Sequence, residues 1–191
     1  MKNLLLSDIR GPKLYDGFRD DLRKRIIELK RKRRFGLGPM VTLVFENRAT
    51  VLFQIEEMCR AENIAEPVKI AAEVEVYNEL LPDEGEVAAT LFIELTDAAT
   101  IATALVELVG LQDHVWLDVG DAQVPATFDP EQFASDKLAA VQYLRFSLDD
   151  AARRALAKQG TPLRLRIAHP KYRHQVELGE AARAELATDL E

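Results

Sequence analysis

The sequence predicts an α+β fold: a mixed, mainly antiparallel sheet with helices packed on it and a helical N-terminal segment. Apolar residues up to about residue 85 recur at three- and four-residue spacing, the period of a helix face. From about residue 86 onward, short alternating or continuous apolar runs dominate, as strands require. The two kinds of element do not alternate regularly enough for a doubly wound parallel sheet. The chain is read as a single domain over residues 1–191, with a helical layer over about 1–85 and a sheet-rich part over about 86–191. The N-terminal helices are apolar enough to need the sheet as a partner.

The first helix is predicted over 12–34, with Leu14, Phe18, Leu22, Ile26 and Leu29 as its apolar stripe. Asp20–Lys24, Asp21–Arg25 and Glu28–Lys32 support it with acids four residues before bases. The basic run Lys30-Arg31-Lys32-Arg33-Arg34, then Gly36, Gly38 and Pro39, is a stop signal. Met40–Phe45 reads as a strand, and Asn47 caps a helix over about 48–62. Val51, Leu52, Phe53, Ile55, Met58 and Cys59 cover most of that helix, leaving Glu56, Glu57 and Arg60 for its wet side. A helix over about 67–80 has Pro67 near its start. Val87–Leu95 is apolar on both faces, as a covered central strand is. A helix follows over about 97–109. His114–Val119 and Ala122–Thr127 flank Gly120-Asp121, a hairpin signal. Strands at Val141–Leu148, Leu163–Ala168 and Tyr172–Leu178, with helices at about 149–158 and 179–189, complete about seven strands and six helices.

Hydrophobic residues at 48% and charged residues at 30% suffice for one sizeable core. A net charge of −7 argues against non-specific nucleic-acid binding by the whole molecule. The lone Cys59 cannot form an internal disulfide, which points to a reducing compartment. The three leucines Leu4-Leu5-Leu6 are too short for a signal peptide, and no run approaches the ~20 apolar residues of a membrane span. The expected location is the cytoplasm.

Three places carry candidate chemistry. The cations at 30–34 could contact phosphates, though charges that suit a helix C-terminus are the favoured reading. His169-Pro170-Lys171-Tyr172-Arg173-His174 could bend to bring two imidazoles onto a transition metal, with His114 and Glu94 as further donors. In an unbent strand the two histidines would point to opposite faces. Arg145, Arg164 and Arg166, with Lys171 and Arg173, would line one face if strands 141–148 and 163–168 are neighbours, and arginine forks recognise anions. Glu94, in an apolar strand, is a candidate acid or base with a raised pKa unless it lies at the strand's end. Cys59 reads as a buried, inert thiol. Glu46-Asn47-Arg48 marks a strand-to-helix junction where helix N–H groups bind anions, or where Asn47 simply caps.

The run Phe45-Glu46-Asn47-Arg48-Ala49-Thr50-Val51-Leu52-Phe53-Gln54-Ile55-Glu56-Glu57-Met58 resembles the signature of a bacterial family, domain of unknown function 3501. Ala89–Glu94, Tyr143-Leu144-Arg145-Phe146 and His169–His174 resemble it too, so the likeness covers about residues 13 to 189. It implies no established activity or catalytic residue. It implies an association with rubrerythrin-like and iron–sulfur oxidoreductase-like proteins, in redox or peroxide-stress metabolism. The chain itself lacks cluster cysteines and a Glu-x-x-His pair.

The expected function is that of a non-enzymatic accessory protein binding a redox partner or a small anionic ligand. The alternatives are a metal-dependent enzyme using His169 and His174 with His114 or Glu94, and weak nucleic-acid binding through residues 30–34.

Overall fold

A computed structural model of the chain describes residues 3–95, 98–129 and 137–190. The chain starts with a 3-10 turn at Leu6–Asp8, then α1 (Pro12–Tyr15) and α2 (Arg19–Arg31). The single helix expected over 12–34 is therefore broken, with Gly17 in the break. The break turns Tyr15 inward: it is fully buried, and its hydroxyl donates to Glu57 at 2.6 Å. Leu14 and Phe18, expected on the apolar stripe, are exposed, whereas Ile26 is buried as expected. The surface pairs in α2 run at i,i+3, Asp21–Lys24 and Glu28–Arg31.

Beyond α2 the chain forms a hairpin of β1 (Arg34–Leu37) and β2 (Val41–Glu46). The sequence reads β1 as a loop because Gly36, with Gly38 and Pro39 just beyond, resembles a stop signal. Gly38 has φ +76°, and a Cβ there would lie 2.5 Å from the His174 ring, so the turn requires glycine twice over. Next comes α3 (Arg48–Ala61), capped as expected by Asn47, which accepts from the Ala49 and Thr50 amides. Pro67 opens α4 (Pro67–Asn78). The rest of the chain contains β3 (Glu86–Ile93), α5 (Ala98–Glu107), a 3-10 turn at Leu111–His114, β4 (Val115–Val119), β5 (Ala122–Pro125), β6 (Thr127–Phe128) and β7 (Val141–Ser147). It ends with α6 (Asp150–Ala157), β8 (Leu163–His169), β9 (Tyr172–Leu178) and α7 (Glu180–Ala187).

The α+β class and the helical N-terminal segment hold. The strands divide between two sheets, ordered β1-β2-β3-β7-β6 and β5-β4-β8-β9. Every ladder among the described residues is antiparallel. The alternating rows Val87, Ala89, Leu91 and Ile93 of β3 and Leu163, Leu165 and Ile167 of β8 belong to one shared core. Val115, Leu117 and Val119 face it as expected, and Ala152, Leu156, Ala182 and Leu186 of α6 and α7 join it. Truncating a leucine there costs about 2–5 kcal/mol.

A second cluster, Leu4, Val51, Ile55, Cys59, Ile70, Val74 and Leu81, binds the N-terminal segment to α3 and α4. Glu56 is not on the wet side of α3. It is buried, because the N-terminal segment folds over it and the Arg10 amide donates to its carboxylate at 2.8 Å. No helix among the described residues is long and apolar enough to cross a membrane.

Candidate ligand-binding cavity

Alternation along β3 sends Ala88 and Thr90 to the outer face of the first sheet, away from the shared core. Register sets Ala88 between Glu46 and Arg145, and Thr90 between Val44 and Tyr143. The C-terminal end of α4 stands over this face with Val76, Tyr77 and Leu80. Because Ala88 and Thr90 are small, a cavity of about 740 Å³ remains between helix and sheet. That volume is typical of small-molecule sites, and the lining combines apolar walls with a few polar groups.

The buried carboxylate in the lining is Glu46, 3% exposed like its neighbour Thr90. It accepts from Thr50 Oγ1 at 2.5 Å, Gln54 Nε2 at 2.9 Å and Thr90 Oγ1 at 2.8 Å. No Lys, Arg or His among the described residues pairs with it. Thr50 and Gln54 follow Glu46 at four-residue steps, so the first two turns of α3 present both donors to the strand end. Arg145 stands at the cavity wall and donates to Asp83 at 3.0 Å, Glu86 at 3.0 Å and the Glu79 carbonyl at 2.7 Å. Burial pushes the Glu86 carboxyl up, but the Ser147 hydroxyl and Arg145 outweigh it and hold it below the usual range. Burial raises the Tyr77 hydroxyl.

The other expected arginines do not join Arg145. Strands β7 and β8 lie in different sheets, so no common arginine face forms. Arg164 pairs with Glu177 at 2.5 Å. Arg166 grips Asp118 through two bonds of 3.0 and 3.1 Å and stacks 4.6 Å over Trp116. Both are exposed-face pairs across neighbouring strands, which explains their alternation without a ligand. Arg173 is exposed on β9, and Lys171 pairs with Glu107 at 3.6 Å.

The histidine segment does bend, as a hairpin joining β8 and β9. It sets His169 opposite Tyr172 and His174 opposite Ile167. His114 meets His169 edge to face at 5.5 Å. Both nitrogens of His169 are engaged: Lys171 N donates to Nδ1 at 3.3 Å, which leaves Nε2 to donate to the Val109 carbonyl at 3.2 Å. No lone pair is then open to a metal. The His174 ring lies tilted against Tyr172, centroids 4.5 Å apart, and covers Gly38. Glu94 lies elsewhere, just past β3, in a pair with Arg34 at 2.9 Å. The Thr42 hydroxyl and Arg34 hold its carboxyl below the usual range, so of the two expectations it is the one at the strand's end, reaching water, that holds. The predicted set of His114, His169, His174 and Glu94 is therefore not gathered. Among the described residues no group of three or more His, Cys, Asp or Glu is placed to hold a metal ion.

The segment has a structural task. The Tyr172 hydroxyl accepts from the Met40 and Val41 amides at 3.1 and 3.2 Å and donates to the Leu37 carbonyl, fastening the second sheet to the β1–β2 turn. Of the basic run, Arg33 alone is internal, and Arg31, Lys32 and Arg34 are exposed. Arg33 is fully buried and donates to Asp189 at 2.7 and 2.8 Å and to Glu185 at 3.1 Å, while Arg31, Lys32 and Arg34 pair with Glu28, Glu185 and Glu94. Cys59 is buried, and burial pushes its thiol up, as an inert thiol requires.

The chain is similar over its full length to a solved structure from Burkholderia pseudomallei, described as a novel protein of unknown function. The TM-score is 0.92 at 34% identity, with 100% of each chain covered. No curated protein matches. Residues 3–190 match the family described as protein of unknown function (DUF3501). With its motif segments lying at the β2–α3 junction, on β3 and β7 and at the β8–β9 hairpin, the chain belongs to the DUF3501 family.

Proposed function

We propose that this chain is a non-enzymatic accessory protein that holds a small organic ligand in the cavity between α4 and the outer face of the first sheet. The observation that carries the reading is the buried Glu46 at the wall of a 740 Å³ cavity with mixed apolar and polar lining. An anionic ligand would have to take Arg145 from Asp83 and Glu86, so the sign of the ligand is a separate question. The direct test is Ala88→Leu, which fills the cavity floor. Small molecules found by ligand-observed NMR to bind the wild type should lose binding in this variant while its fold is kept. Retained binding, or no binder at millimolar concentration, would sink the proposal. The redox-partner role rests on the family association alone. Its test is co-purification with rubrerythrin-like or iron–sulfur oxidoreductase-like proteins, and recovery of neither would end it.

A further inference from the structure

We infer that the cavity takes an organic cation, an amine or quaternary ammonium group, with Glu46 as its counter-charge and Tyr77 and Tyr143 as aromatic walls. This rests on the cavity being a ligand site. Glu46 is 3% exposed, and its three hydrogen-bond donors, Thr50, Gln54 and Thr90, are all neutral. No cation among the described residues pairs with this carboxylate, and a cation entering the cavity supplies the partner that the protein does not.

The surroundings have the same sign. Glu79 and Asp129 also line the cavity, and the one arginine among its described lining residues, Arg145, already sits on Asp83 and Glu86. Among the described residues, three acids, Glu46, Glu79 and Asp129, thus line the cavity beside a guanidinium already paired with two others, and the chain as a whole carries −7. An anion would meet this field unfavourably. Tyr77 and Tyr143 contribute the electron-rich rings that attract ammonium groups. Val76 and Leu80 offer apolar surface for the rest of the ligand.

The test uses three probes of one shape on the full chain: 2-phenylethylamine, 2-phenylethanol and phenylacetate, titrated by NMR. The amine should bind about tenfold tighter than the alcohol, with phenylacetate weakest. Glu46→Gln should remove that tenfold advantage and leave the alcohol within about twofold of its wild-type affinity. Tyr143→Leu, on the exposed side of the wall, should weaken the amine about threefold. It decides the matter, together with loss of amine binding in high salt, if Glu46→Gln does not fold. Alcohol or phenylacetate binding as tightly as the amine would overturn the cation while leaving the cavity reading intact. An amine that binds Glu46→Gln or Tyr143→Leu as tightly as wild type would also overturn it. Failure of all three probes would remove both.

Discussion

Replacing Arg33 with methionine keeps most of the side-chain volume but leaves the buried Asp189 without its cation and part-buried Glu185 with Lys32 alone. Arg33 and Asp189 are 0% and 4% exposed and share bonds of 2.7 and 2.8 Å. Removing one member of such a pair costs about 3–5 kcal/mol, because a desolvated charge is left behind. For a chain of this size each kcal/mol moves Tm by about 2–4 °C, so Tm should fall by roughly 6–20 °C. Burial already pushes the Asp189 carboxyl up against the pull of Arg33. Without Arg33 it rises further, so the folded state binds its proton more readily and the deficit shrinks as pH falls. Urea unfolding of Arg33→Met, of Asp189→Leu and of the double variant measures the coupling. The double variant should regain most of the loss, since the orphaned charge is gone. A loss below about 1 kcal/mol for Arg33→Met, or a double variant no better than the single, would refute the reasoning. Arg31→Met, two residues earlier in the same run, removes only an exposed pair with Glu28 and should leave the midpoint unchanged.

The remaining predictions concern how the layers are joined. Arg19, then Tyr15, hold the Glu57 carboxyl down to about 2 from its usual 4.5. A depressed acid contributes stability above its unfolded pKa and loses it as pH falls towards the folded value, so stability should decline from about pH 4.5 towards 2. Glu57→Gln should flatten that slope, and an unchanged acid titration would contradict the assignment. Tyr172→Phe strands two amides and a carbonyl at the β1–β2 turn and should cost about 2–4 kcal/mol in urea unfolding, with a loss under half a kcal/mol counting against it. Gly38→Ala combines left-handed strain of about 1–2 kcal/mol with a clash against His174. Adding His174→Ala should relieve the clash but not the strain, so partial rescue is expected and full rescue or none is not.

The local physics of this chain was readable one segment at a time. Asn47 capping α3, the Gly120-Asp121 hairpin, and the inward row Val115, Leu117 and Val119 each depend on neighbours a few residues away. Tyr15 was missed because Gly17 lets the helix break and gives a tyrosine, not Leu14 or Phe18, the inward position. Glu56 was placed in water because the Arg10 backbone that meets it lies 46 residues away in sequence.

The cavity shows the same division. Its signals were present in the sequence: a glutamate ending an apolar strand, a threonine and a glutamine at four-residue steps beyond it, and small residues along β3. Nothing in those spacings tells which sheet a strand joins. Sequence alone determined most element types, β1 and the break before α2 excepted, together with the family motifs and the sign of the overall charge, because these follow from periodicity, capping and composition. The tertiary structure decided that β7 and β8 lie in different sheets, which sent Arg145 to the cavity and Arg164 and Arg166 to surface pairs. It also turned the histidine segment into a fastening between sheets and Arg33, out of an otherwise exposed basic run, into a buried anchor for the C-terminal helix. The reason is that a charge's role depends on what desolvates or neutralises it, and those partners come from strands and helices far apart in the chain.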